Sequence, residues 1–109
     1  MIYELRTYTP YPGKLERLHQ RFREVTLGRF AAHGMQVIGF WEAEGEGEGE
    51  RDLIYLLAFP DRATGEAAWD AFRADDEWIR AKAASETDSP LNAKVVSRWL
   101  DPTDYSPLR

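Results

Sequence analysis

Along residues 2–9 (IYELRTYT) the side chains alternate: Tyr3, Leu5 and Thr7 fall on one side, and Glu4, Arg6 and Tyr8 on the other. A period of two in residues that favour extended backbone predicts a strand. Pro10, Pro12 and Gly13 break it, and Leu15, Leu18, Phe22, Val25 and Phe30 then recur at helical spacing, predicting a helix over residues 13–32. Gly34 suits the left-handed turn that ends such a helix. The next segment, MQVIGFWEAE (35–44), is rich in β-branched and aromatic residues and predicts a second strand.

The stretch GEGEGE (45–50) has no apolar side chain and reads as a long hairpin loop into a third strand, DLIYLLAF (52–59). Pro60 and Asp61 end that strand. Ala67, Ala68, Trp69, Ala71 and Phe72 at helical intervals predict a helix over 63–74. Asp75 or Asp76 is placed to cap a second helical piece carrying Trp78 and Ile79. Ser89 and Pro90 stop it, NAKVVSRWL (92–100) predicts a fourth strand, and Pro102 and Pro107 mark an irregular tail.

The order βαββαβ within about 100 residues predicts a ferredoxin-like α+β fold, with four antiparallel strands and the helices on one face. The other sheet face is then bare. Strands two to four nevertheless offer bulky apolar groups in both phases, as with Val37 and Trp41 against Ile38 and Phe40, or Leu53, Tyr55 and Leu57 against Ile54 and Leu56. Burial of both faces in a chain this short calls for a second copy, a homodimer packed sheet on sheet.

Composition narrows the chemistry. The 109 residues, 43% hydrophobic and 13% aromatic, suit one domain over 1–109 with a real core. The absence of cysteine excludes disulfides, thiolate metal sites and thiol nucleophiles. No apolar run is long enough for a membrane span, and the opening MIYELRTY lacks a leader pattern, so a soluble cytoplasmic protein without a membrane partner is expected. The net charge of −5 resides in residues 42–52, whose six acids face one base, leaving the rest neutral. A neutral body with an acidic loop argues against nucleic acid.

The opening YELRTYT (3–9), Pro12 and Gly13, His33 and Gly34, GFWEAEG (39–45) and the PDRATGEAAW segment (60–69) together resemble the NIPSNAP family of dimeric α+β-barrel proteins. The resemblance covers nearly the whole chain and implies the same fold and a dimer. It implies little about chemistry, because that barrel superfamily mixes monooxygenases, isomerases, haem-handling proteins and simple binders. The hairpin departs from the family's asparagine-containing turns.

His19 and His33 lie 14 residues apart without metal-ligand spacing, so neither a metal nor another cofactor is expected. His33, near a helix end, reads either as a cap favoured by the helix dipole or as a general base or haem ligand. Glu4, Arg6, Glu42 and Arg98 sit within apolar strands, where a lone buried charge costs several kcal/mol. They read as ion pairs, or Arg6 and Arg98 as anchors for a substrate carboxylate or enolate. Trp41, Tyr55, Trp69 and Phe72 are the candidate lining of an apolar cavity between sheet and helices, with the Tyr55 hydroxyl as its polar handle. GEGEGE lacks the oxygen spacing of a calcium loop and reads as a solvated hairpin.

The leading expectation is a homodimeric barrel binding a small hydrophobic or aromatic molecule. The alternative is a cofactor-independent monooxygenase or isomerase acting on an activated aromatic or lactone, using Tyr55 or His33 for proton transfer and Arg6 or Arg98 to stabilise an enolate. A cavity filled by tryptophan would leave a structural interaction module.

Overall fold

Strand β1 (Ile2–Pro10) lies inside the sheet, as a segment with strand formers on both sides should, and pairs antiparallel with β3 (Arg51–Phe59) and with β4 (Asn92–Leu100). Strand β2 (Gln36–Glu44) pairs with the outer side of β3, giving the order β2-β3-β1-β4 in a fully antiparallel sheet. This is the ferredoxin-like arrangement. The computed structural model describes residues 1–45, 47 and 50–109; the solvated-hairpin reading of GEGEGE falls in part on Glu46, Glu48 and Gly49, which lie outside the described residues.

The long first helix is three segments end to end: α1 (Leu15–Arg21), a π-helical turn (Phe22–Thr26) and α2 (Leu27–Ala32). Hydrophobic spacing hid this break, because one extra residue in a turn leaves Leu18, Phe22 and Phe30 on the buried side. Gly34 follows with φ +70°, the left-handed conformation that glycine adopts without steric cost. Helix α3 (Arg62–Arg73) is capped by Asp61, whose carboxylate accepts the Thr64 N–H, and α4 (Asp76–Ser85) by Asp75, which accepts the Trp78 N–H.

The molecule is a flat two-layer sandwich, 44 × 36 × 18 Å. Between the layers lies an aromatic core centred on Tyr55, whose ring stacks on Phe40 at 4.9 Å and meets the edges of Tyr8 and Phe22. Such pairs add about 0.5–1.5 kcal/mol each beyond their buried area. Gly65 lets α3 approach the sheet: a Cβ there would fall 2.7 Å from the Trp99 ring and 2.9 Å from that of Phe59.

Glu4, Arg6 and Tyr8, with Leu53, Tyr55 and Leu57, face the helices, while Leu5, Thr7, Ile54 and Leu56 face away. The burial of both faces expected of strands two to four is assigned to a second copy; within one chain Val95 is 48% and Val96 36% exposed on the edge strand β4, and Trp41 54% on β2. Among the described residues no helix is long and apolar enough to cross a membrane.

Candidate functional site

The alternation of β1 delivers Glu4, Arg6 and Tyr8 to the covered side, two residues apart, and antiparallel register sets Tyr55 opposite Arg6 and Ser97 on its other flank. The result is one connected polar network under the helices. Glu4, 2% exposed, accepts from the Trp69 indole N–H through Oε1, and from the Ser97 hydroxyl and Arg6 Nη1 through Oε2. Arg6 donates from Nε to the Tyr55 hydroxyl at 2.9 Å and from Nη2 to Tyr8 at 3.4 Å, and its guanidinium lies 4.1 Å from the centre of the Trp69 ring. Of the four strand charges expected to form ion pairs, Glu4 and Arg6 pair with each other, at 3.1 Å.

Burial opposes the charge on Arg6, but the Tyr55 and Tyr8 oxygens and the Glu4 carboxylate outweigh it, and its pKa rises. Arg6 is therefore a permanent cation. Burial raises the Tyr55 phenol well above its ordinary value, reinforced by the neighbouring Tyr8, so Tyr55 keeps its proton at neutral pH. The Tyr8 and Tyr55 hydroxyls are 2.7 Å apart.

Either hydroxyl can donate in that bond, and the deeper burial of Tyr55 favours one direction. The fully buried Tyr55 hydroxyl already accepts from Arg6, and the acceptor within reach of its own proton is the Tyr8 oxygen. Tyr8 therefore accepts from Tyr55 and keeps its proton for another partner. The arrangement relays polarisation from a fixed cation through the Tyr55 phenol to Tyr8.

Tyr8 and Arg6 border a cavity of about 320 Å³ between the sheet and the helices, walled by Trp69, Phe72, Trp78, Phe22 and Phe30. The π-helical turn forms part of the same wall through Phe22 and Thr26. There Leu27 N–H bonds to the Phe22 carbonyl, five residues back, and the Thr26 hydroxyl donates to the Arg21 carbonyl at 3.3 Å. Single π turns inside α-helices frequently accompany functional sites, because they displace side chains that a regular helix would stack.

The residues expected to form the site separate into three places. Trp69 and Phe72 line the cavity, Arg6 reaches it, and Tyr55 stands one hydrogen bond behind Tyr8, so the polar handle presented to the cavity is Tyr8. Trp41 is on the uncovered face, 54% exposed, its ring folded over Gly39, where a Cβ would lie 2.7 Å from it; it borders a separate cavity of about 360 Å³ at the β2 edge. Arg98 is exposed on the uncovered face opposite Leu5.

His33 is the C-cap of α2, and its Nε2 lies 2.7 Å from Asp75 Oδ2, a carboxylate that also holds Arg29. It ties the end of α2 to the start of α4 and does not line the sheet–helix cavity. Glu42 bonds His19 and Arg51, each at 2.8 Å, away from the Glu4 network.

Sequence reading missed Arg21, Arg73, Lys82 and Asn92, which also line the cavity. No local signal marks them, since they come from helices and an edge strand brought together by packing. Tyr8 was legible, being in phase with Glu4 and Arg6.

The NIPSNAP family model matches residues 3–107. The structure resembles a NIPSNAP domain protein from Burkholderia xenovorans, with a TM-score of 0.82 at 20% identity, over 98% of this chain and 99% of that one. It also resembles a NIPSNAP family protein from Agrobacterium tumefaciens, with a TM-score of 0.84 at 23% identity, over 99% and 98% of the two chains. A more distant likeness is to an antibiotic biosynthesis monooxygenase, with a TM-score of 0.60 at 11% identity, over 94% of this chain and 99% of that one. Among curated proteins no relative is found.

Proposed function

The chain belongs to the NIPSNAP family, and we propose that it acts as a homodimeric barrel protein binding a small hydrophobic or aromatic molecule in the sheet–helix cavity of each subunit. The cavity carries this reading. At about 320 Å³ it has the size of a small-molecule site, an aromatic wall of Trp69, Phe72 and Trp78, and a polar corner at Tyr8 and Arg6 to orient a ligand. The dimer is supported by the uncovered sheet face, where Leu5, Ile54, Leu56, Val96 and Trp41 form an apolar surface that one chain leaves in contact with water.

The runner-up, a cofactor-independent monooxygenase or isomerase, needs a group that exchanges protons near neutral pH. Tyr55 is held protonated behind Tyr8, and His33 is bound to Asp75 away from the wall, which favours binding over turnover. Calorimetric titration of the full-length protein with 2-naphthamide, a neutral planar probe, tests the reading. Saturable binding is expected, weakened about tenfold or more by Val95→Phe, because Val95 lines the cavity where it meets solvent. Absence of saturable binding overturns it, and scattering at the mass of a single 12.6 kDa chain overturns the dimer.

A further inference from the structure

The wall of the sheet–helix cavity holds more hydrogen-bond donors than acceptors. Arg6 uses three of its five N–H groups on Tyr55, Glu4 and Tyr8, leaving two without a partner. Tyr8 retains its proton, as its accepting role toward Tyr55 requires. Arg21 is 93% buried by its 7% exposure, and its Nε–H has no partner although Nη1 reaches Ser85 and Glu86. Such an orphaned donor is costly unless something in the cavity accepts from it. Asn92 Oδ1, an acceptor, is also unsatisfied, so one unpaired acceptor stands against these donors.

Charge points the same way. Arg6, Arg21, Arg73 and Lys82 line this cavity with Glu86 as the one acid among the lining residues, in a chain whose net charge is −5. Glu86 serves both Arg21 and Lys82, Glu4 sits behind Arg6, and Asp70 meets Arg73 at 3.5 Å in solvent. The four cations thus outnumber these three partners. A positive concavity with low-dielectric aromatic walls concentrates anions against the overall charge of the molecule.

We propose that the ligand of this cavity is an aromatic or otherwise planar organic carboxylate, with its carboxylate at Tyr8 and Arg6 and its ring among Trp69, Phe72 and Trp78. The proposal rests on the cavity being a ligand site and adds the charge of what fills it. Charge-assisted hydrogen bonds to a carboxylate are about twice as strong as those to a neutral carbonyl of the same shape. A carboxylate also satisfies wall donors without adding protons of its own.

The test compares 2-naphthoate with 2-naphthamide by calorimetry on the full-length protein, at low and at high salt. The expected result is naphthoate binding at least about tenfold tighter at low salt, with the advantage shrinking as salt rises. Arg73→Gln and Lys82→Gln change exposed groups and spare the core; each should weaken naphthoate about twofold to fivefold more than it weakens naphthamide. Equal affinity for the two probes, or variants that weaken both alike, overturns the anion assignment while leaving the cavity as a binding site. Failure of both probes to bind overturns the binding-site reading and this inference with it.

Discussion

The two faces of the sheet use the same strands to opposite ends. On the covered face aromatic rings and leucines surround the Glu4–Arg6–Tyr8–Tyr55 network, and the buried charges of Glu4 and Arg6 are tolerated because they pair with each other and with hydroxyls. On the other face the alternate residues of the same strands, Leu5, Ile54, Leu56 and Val96, are apolar but uncovered, and the charged Arg98 stands exposed among them. Polarity inside and apolarity outside is the reverse of a simple solvated sheet. A face with a buried polar network and a void is organised to receive something small, and a flat apolar face something large.

The sharpest way to break this contrast is to remove the charge that organises the covered face. Glu4→Leu leaves Arg6 unpaired and the Trp69 and Ser97 donors without an acceptor, and should cost about 3–5 kcal/mol in urea denaturation. A cost near zero would mean that the network is ornamental. The reciprocal change places a charge where none is expected: Leu56→Glu should weaken self-association about a hundredfold or more by sedimentation velocity, with the circular dichroism of the fold retained.

A smaller effect is expected from Tyr55→Phe. Its hydroxyl links Arg6 to Tyr8, so the loss should appear in stability, about 1–3 kcal/mol, before it appears in ligand affinity. If affinity falls while stability holds, Tyr55 rather than Tyr8 is the group that meets the ligand.

The smallest effect concerns acid. Hydrogen bonds from Arg29, then His33 and the Trp78 N–H, hold the Asp75 carboxylate well below its ordinary value of 3.8. A depressed carboxylate contributes stability that is complete above the ordinary value and drains away as pH falls below it toward the folded value. Asp75→Asn keeps a capping oxygen but removes the titration, so between about pH 5 and 2 the variant should lose less of its urea midpoint than the parent protein. This junction of α2 and α4 lies outside the network on the covered face, so naphthoate affinity should be unaffected.

Element order, the breaks at Pro10–Gly13, Pro60–Asp61 and Ser89–Pro90, a cap at Asp75 or Asp76 and the Gly34 turn were all legible, because each rests on interactions within a few residues. So was the sharing of one strand face by Glu4, Arg6 and Tyr8, whereas the pairing of Glu4 with Arg6 in particular came from the fold. The π-helical turn was not, since an inserted residue changes the hydrogen-bond ladder while leaving the apolar spacing close to helical. Nor was the position of Trp41: the register shift between Val37 and Gly39 makes strand parity in β2 unreliable as a guide to which residues face the helices.

Taken by itself, the amino-acid order determined the βαββαβ succession, the family resemblance and the residues that share each strand face, since periodicity and turn chemistry act locally. Tertiary packing decided which face the helices cover, and therefore that Tyr8 rather than Tyr55 meets the cavity and that Arg98 and Trp41 do not join Arg6. It also decided the character of the cavity, because Arg21, Arg73 and Lys82 come from separate helical segments and their shared positive field exists once those segments are docked on the sheet.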